Sequence, residues 1–345
     1  MITIRRLVSG DAANAARWDS FVLSSTTSTF FHRTAWQGIL ERVFGHPTHY
    51  LFAEGDGQIV GVLPLAQVKS LLFGHALVSL PFAVYGGVVA AHEEAAVALE
   101  AEAVRLGREL GAQHLELRQL SREHANWPRQ DVYATFRKQL LGSDEENLLA
   151  IPRKQRAMVR KGINNQLVAE LDDGIDRFFA LYADNVHRHG TPAMPKRYFA
   201  ELRTAFGSDC SVLTVTSASG KPLSSVLSFY FRDEILPYYA GDDIAARELA
   251  ANDFKYWALM RHATARGIKV FDYGRSKLGT GPYAFKKNWG FEPQVLNYEY
   301  TLYTRDTVPQ NNPANPKYRL MIEAWRKLPL GLANWLGPYV VRGLG

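Results

Sequence analysis

The chain has 345 residues, 47% of them hydrophobic and 21% charged, with a formal net charge of +6. That length exceeds one ordinary core and suits two domains of ~150 residues, while the composition excludes a disordered chain and a membrane bundle. A single cysteine, Cys210, excludes an internal disulfide, and the apolar run from Leu71 is broken by Gly, His and Pro before it reaches the ~18 residues of a spanning helix.

The opening MITIRRLVSGDAAN carries no apolar signal core, which with the lone thiol predicts a cytoplasmic protein. Hydrophobic periodicity then predicts a helix over 35–43, a strand over 48–53, a turn at Glu54-Gly55-Asp56-Gly57, a strand over 58–68 and another over 76–80. The next helix, 93–110, places Leu99, Ala103, Leu106 and Leu110 on one face for packing against a sheet. The polar stretch 142–147 reads as a linker, closing a first domain at 1–147.

The second domain, 148–308, opens on a basic stretch. Arg153, Lys154, Arg156, Arg160 and Lys161 lie between Ile151 and Leu167 with no acidic residue among them. On a helix Arg153, Arg156 and Arg160 share one face, which suits a phosphate group or a polyanion; a solvated basic helix is the other reading, and both stay open. Helices follow over 175–189 and 195–206, split by Gly190-Thr191-Pro192, then strands over 211–217, 223–231 and 234–239. A helix capped by Asn252 or Asp253 runs to 266, a strand spans 270–273, a short helix spans 283–289, and the last strand spans 296–303. Cys210 at a strand start reads as buried and inert.

One block occurs twice. GQIVGVLPLA at 57–66 leads to a helix ending in RELGAQHLELRQ, and GKPLSSVLSFY at 220–230 leads to a helix ending in ATARGIKVFDYG. A separation of roughly 160 residues is too long for a solenoid repeat, so the pattern predicts a duplicated mixed α/β domain, a class that binds ligands in the cleft between halves.

Several residues carry side chains compatible with group transfer. Moving an acyl group needs aligned partners, a donor that polarises the carbonyl and a route for the nucleophile's proton. Lys286, beside Phe285 on a short helix after a Gly-rich loop, is either a functional cation or a surface lysine; Asp272 and Tyr273 end a strand, where Asp272 either takes a proton or ties down the next loop. Tyr239, with Tyr238, either walls an acceptor site or packs in the core. His32 and Arg33 precede a helix where an anion can be met. No G-x-G-x-x-G, Walker A run or G-x-S-x-G elbow occurs, and His187 and His189 have no further ligands at metal spacing, so no metal is expected.

Residues 309–345 stand apart: a Pro/Asn linker, then a segment mixing Trp325, Leu328, Leu332, Trp335 and Leu336 with Lys317, Arg319, Arg326, Lys327 and Arg342. Such a segment packs back on a domain or lies at an anionic membrane surface through 317–345, peripheral to the inner face.

The element order, FDYGRSKLGTGPYAFKKNWGFEP at 271–293 and RKQRAMVRKG at 153–162 together resemble the Fem-type peptidyl and aminoacyl transferases, and within them the FemAB-like proteins associated with exosortase and exopolysaccharide systems. The likeness spans about 29–303. It implies an α/β (α+β) chain of two tandem GNAT-like domains, each a mostly antiparallel mixed sheet flanked by helices, catalysing N-acyl or aminoacyl transfer in envelope or exopolysaccharide synthesis. Lys286 matches the family's Phe-Lys motif, and TSTFFHRTAWQGIL at 27–40, with Trp36, matches its early Phe-x-x-x-x-Trp element. Ile39 and Leu40 stand where that family carries a basic residue, and the long helical hairpin used around transfer RNA is missing. The resemblance implies no permanently bound cofactor, an acyl donor that is acyl-CoA, acyl carrier protein (acyl-ACP) or aminoacyl-tRNA, and a phosphate-bearing small molecule or lipid-linked glycan as acceptor. A non-catalytic binding module for phosphorylated glycan or RNA is the reading from another class.

Overall fold

The computed structural model describes residues 1–70, 73–120, 122–309 and 316–344. The chain forms two compact units. One holds Met1–Val132, the segment from Leu296 and the last residues from Tyr339; the other holds Tyr133–Val295 and the chain leading to Pro338. The division therefore falls near 132 rather than at 147, and the strand from 296 belongs with the first unit, because Tyr298–Leu302 pairs antiparallel with His114–Arg118.

In the first unit Thr3–Leu7, Tyr50–Gly55, Gln58–Leu63 and Val89–Ala90 form one antiparallel sheet. The strand expected over 58–68 is two strands, Gln58–Leu63 and Leu65–Ser70. Pro64 between them lacks the N–H a continuous ladder needs. Helix Glu93–Glu109 buries Leu99, Ala103 and Leu106 as its stripe predicts, and Gly61 lets it approach, since a Cβ there would lie 2.9 Å from Leu99 Cδ1.

The second unit has the order that carries the site. Val168–Asp172, Cys210–Thr216, Pro222–Phe231 and Glu234–Asp242 run antiparallel in turn. Helix Ala251–Ala265 then crosses over to Val270–Asp272, which lies parallel to Glu234–Asp242 and antiparallel to Arg129–Gln139. Helices Asp176–Arg188 and Lys196–Phe206 occupy the expected positions. The sequence reading missed the strands Arg129–Gln139 and Val168–Asp172. It also took 142–147 for a linker, where the structure has helix Asp144–Ala150. Ser143 caps it by accepting from Glu146 N at 3.2 Å and donating to Glu146 Oε2 at 2.8 Å, a Ser N-cap that was there to be read in the sequence. Asp253 does not cap its helix; it sits in the first turn, and Ala250 in a left-handed conformation opens the helix.

Most of the Pro/Asn linker lies outside the described residues. Beyond it stand helices Pro316–Lys327 and Leu330–Val341. No helix among the described residues is long and apolar enough to cross a membrane.

Candidate active site of the second unit

The strand Val270–Asp272 ends in a tight turn that Asp272 builds. Its side chain is fully buried; Oδ1 accepts from Gly274 N at 2.8 Å and from Thr135 Oγ1 at 3.4 Å, and Oδ2 faces Arg137 Nη1 at 3.5 Å. Arg137 also pairs with Glu234. Gly274 takes φ +66°, which an L side chain would strain. The carboxylate expected to take a proton is thus engaged in closing the loop, the second of its two readings.

That turn presents the carbonyls of Gly274 and Arg275 to Lys286. Helix Gly281–Asn288 carries Lys286 and starts from Thr280, with Pro282 in its first turn. Lys286 Nζ donates to Gly274 O and to Arg275 O, each at 3.0 Å. The same nitrogen lies 5.5 Å from the Phe136 ring centroid and 5.7 Å from that of Tyr273. The residue as a whole is half-buried, but its ammonium sits at the covered end. Burial pushes its pKa from the usual 10.5 down to about 7, against the pull of Asp272 and together with the repulsion of Arg275. An ammonium has three donors. Two are used, and no acceptor for the third is found among the described residues.

Aromatic rings enclose this centre. Tyr273 lies tilted at 4.6 Å from Tyr256 and meets Phe285, Trp289 and Phe291 edge-on. Its hydroxyl is buried with no hydrogen-bond partner, and burial raises its pKa well above the usual value. Trp289 Nε1 donates to Asp253 Oδ1 at 3.0 Å, tying the end of the Lys286 helix to helix Ala251–Ala265. Fully buried Lys255 pairs with Asp242 at 3.0 Å. Sequence reasoning missed Tyr256, Asp253 and Trp289; a Trp seven residues before the last expected strand gave the one available hint.

The other expected residues are dispersed. Tyr239 is half-buried in a ring cluster with Tyr182, Tyr198 and Phe199, its hydroxyl 3.1 Å from that of Tyr198. Of the basic helix Arg153–Asn164, Arg153, Lys154, Arg160 and Lys161 are exposed, whereas Arg156 turns back to donate to Leu149 O at 3.1 Å. The helix packs through Val159 and Gly162; a Cβ on Gly162 would meet Phe254 Cβ at 2.7 Å.

In the first unit His32 is buried with both ring nitrogens engaged. Nδ1 lies 3.1 Å from Thr29 N, and Nε2 lies 3.0 Å from Gly87 O. Trp36 is fully buried, 5.7 Å from Phe31, and Arg33 lies over Phe30 at 5.6 Å. The expectation that His32 and Trp36 meet a substrate gives way to a structural role: both are interior groups that fix the turn and core at 29–36. Cys210 is buried and its thiol is pushed up to about 12, as an inert cysteine should be.

Residues 150–287 match the family described as the acetyltransferase (GNAT) domain. The matched stretch lies within the second unit. No curated protein matches the chain. Among solved structures, FemX superposes with a TM-score of 0.66 at 14% identity over 93% of this chain and 100% of its own. A tandem GNAT protein from the clavulanic acid biosynthesis pathway gives 0.55 at 15% over 88% and 98%. The C-terminal domain of a putative lysylphosphatidylglycerol synthetase from Agrobacterium fabrum gives 0.56 at 14% over 83% and 91%. At these identities the likeness is one of fold: two GNAT domains in tandem, of which the second carries the Lys286 centre.

Proposed function

We propose that the protein transfers an acyl or aminoacyl group from a thioester or ester donor to an amine on a phosphate-bearing acceptor of envelope or exopolysaccharide synthesis, at the Lys286 centre of the GNAT domain. The observation that carries this reading is the Lys286 ammonium: half sequestered by two carbonyls, ringed by aromatics, with one N–H left over. In the reaction the amine nitrogen bonds to the acyl carbon, the carbon–sulfur or carbon–oxygen bond of the donor breaks, and the amine's proton leaves with the departing thiol or hydroxyl. Charge builds on the carbonyl oxygen in between. A cation held in a poorly solvated site stabilises that charge far better than water does. Asp272 acts as a positioning residue, because it shapes the turn whose carbonyls aim Lys286.

Phosphate recognition is assigned to the exposed Arg153, Lys154, Arg160 and Lys161. The N-terminus of helix Ala251–Ala265 is poorly suited to it, since Asp253 occupies its first turn and Asp242 and Asp243 precede it. Acyl-CoA, acyl carrier protein and aminoacyl-tRNA all present the required activated acyl group. The test is transfer of label to an amine acceptor by wild-type protein and by Lys286→Met: the reading requires transfer that the substitution abolishes, and equal turnover by both proteins overturns it.

A further inference from the structure

Helix Ala251–Ala265 turns Asp253 and Tyr256 toward Trp289 and the Lys286 centre. Its residues Ala258, Arg261, His262 and Ala265, at i, i+3, i+4 and i+7, form a stripe on the far side of the same helix and wall a groove of about 500 Å³ that lies wholly within the second unit. The floor is Leu213 and Leu171, the latter on the edge strand Val168–Asp172. Leu213 is buried, but Leu171 is 50% exposed, so apolar surface at the edge of the sheet is left open to the groove. Small-molecule sites have volumes of roughly 300–1,000 Å³, mostly apolar walls and a few polar groups that fix the orientation of the ligand.

The polar groups of this groove are unbalanced in one direction. Both of its carboxylates are already paired: Asp144 Oδ2 meets Arg261 Nε at 2.6 Å, and Glu170 Oε2 meets Arg177 Nη1 at 2.7 Å. The donors are not used up. Arg261 spends only its Nε, which leaves the Nη1 and Nη2 edge of the guanidinium without an acceptor among the described residues. His262 Nε2 is buried and likewise has no hydrogen-bond partner there. Burial, and after it the charge of Arg266, lowers the pKa of His262 from 6.5, so at neutral pH the ring is uncharged and carries one N–H. A buried nitrogen without a partner bears a desolvation cost that an acceptor on a ligand would remove. The free edge of a guanidinium receives a carboxylate or phosphate through two parallel hydrogen bonds.

We infer that the groove is a second binding site of this unit, for a small amphipathic anion: an oxyanion head on Arg261 and His262, and an apolar body along Leu171, Leu213, Ala258 and Ala265. The helix itself divides this site from the Lys286 centre, so occupancy does not depend on acyl transfer.

The test is calorimetric titration of the full-length protein with octanoate, octyl phosphate, octylamine and acetate. At least one of the two octyl anions should bind saturably, and the tighter of them identifies the head group. Octylamine, with the wrong charge, and acetate, with no body, should bind at least about tenfold more weakly. Arg261→Gln and His262→Phe should each weaken the anion by about tenfold or more, the usual cost of losing a hydrogen bond to a charged group, and Leu171→Glu should weaken it by setting a carboxylate against the body. The Arg261–Asp144 pair is exposed and adds little to stability, so the melting temperature of Arg261→Gln should stay near that of wild type. Lys286→Met should bind the anion as wild type does, which keeps this site distinct from the proposed transfer centre. No saturable binding of either anion, octylamine binding as tightly as the anions, or unchanged affinity in both Arg261→Gln and His262→Phe overturns the inference. So does binding that Lys286→Met abolishes.

Discussion

Replacing Lys286 by methionine keeps the unbranched stem of the side chain, drops its terminal nitrogen and so removes its charge, and the consequence for stability follows from the burial of the ammonium. The fall from 10.5 to about 7 corresponds, at about 1.36 kcal/mol per pH unit, to roughly 4–5 kcal/mol of difference between charged and neutral forms. Because the folded-state pKa is the lower one, the unfolded chain binds the proton more tightly between the two values. Wild-type stability therefore rises with pH from about 7 toward 10.5, and the full penalty is present below 7. Lys286→Met carries no such penalty, although it leaves Gly274 O and Arg275 O without a donor, at about 1 kcal/mol or more each. The absolute difference between the proteins mixes these effects; its pH dependence does not. Denaturant unfolding at a series of pH values should show the methionine variant gaining most on wild type below pH ~7 and losing that advantage steadily above it. A constant offset across the series would show that Lys286 titrates as an ordinary surface lysine and would refute the argument from burial. The catalytic counterpart is a loss of ~10²-fold or more in kcat, the usual cost of removing one charge-stabilising donor.

Other parts of the structure make separate predictions. Arg153→Ala with Arg160→Ala should raise KM for a phosphate-bearing acceptor and flatten its salt dependence with little change in kcat; an unchanged KM would leave the basic helix merely solvated. Gly241→Ala should lower stability by about 3 kcal/mol or more, read as a fall in melting temperature, since its Cβ would lie 2.5 Å from the Leu181 carbonyl carbon and closer still to the Tyr182 backbone. His124 bridges Glu299 at 2.7 Å and Glu100 at 3.2 Å. Burial favours its neutral ring, but the two carboxylates outweigh that and raise its pKa above 6.5. Its stabilisation is thus complete below about pH 6.5 and is lost as pH climbs through the raised value. Thermal melts of His124→Phe should lack that pH dependence, and identical profiles would contradict the bridge.

The sequence was most legible where one period dominated. The stripe of helix Glu93–Glu109 and the three consecutive antiparallel strands from Cys210 follow from side-chain spacing alone. Arg129–Gln139 was hidden because its alternation, RQDVYATFRKQ, is interrupted by charges that a half-exposed strand tolerates. Val168–Asp172 was hidden because it is an edge strand with outward-facing Val168 and Leu171. At the candidate site the motif context singled out Lys286, while its hydrogen-bond partners could not be read: the carbonyls of Gly274 and Arg275 leave no trace in side-chain chemistry. Tyr256 and Asp253 come from a helix that only the crossover brings beside Trp289. His32 and Trp36 misled for the opposite reason, since polar and aromatic residues before a helix look alike whether they face a ligand or close a core.

The central claim is that acyl transfer occurs at Lys286. Its most direct measurement is the appearance of label on UDP-glucosamine, a phosphate-bearing amine, when radiolabelled acetyl-CoA or a radiolabelled aminoacyl-tRNA is supplied to the full-length protein. Transfer from at least one donor by wild type, lost in Lys286→Met, is the predicted result. Transfer at the same rate by the Lys286→Met protein, or no transfer from either donor, would contradict it.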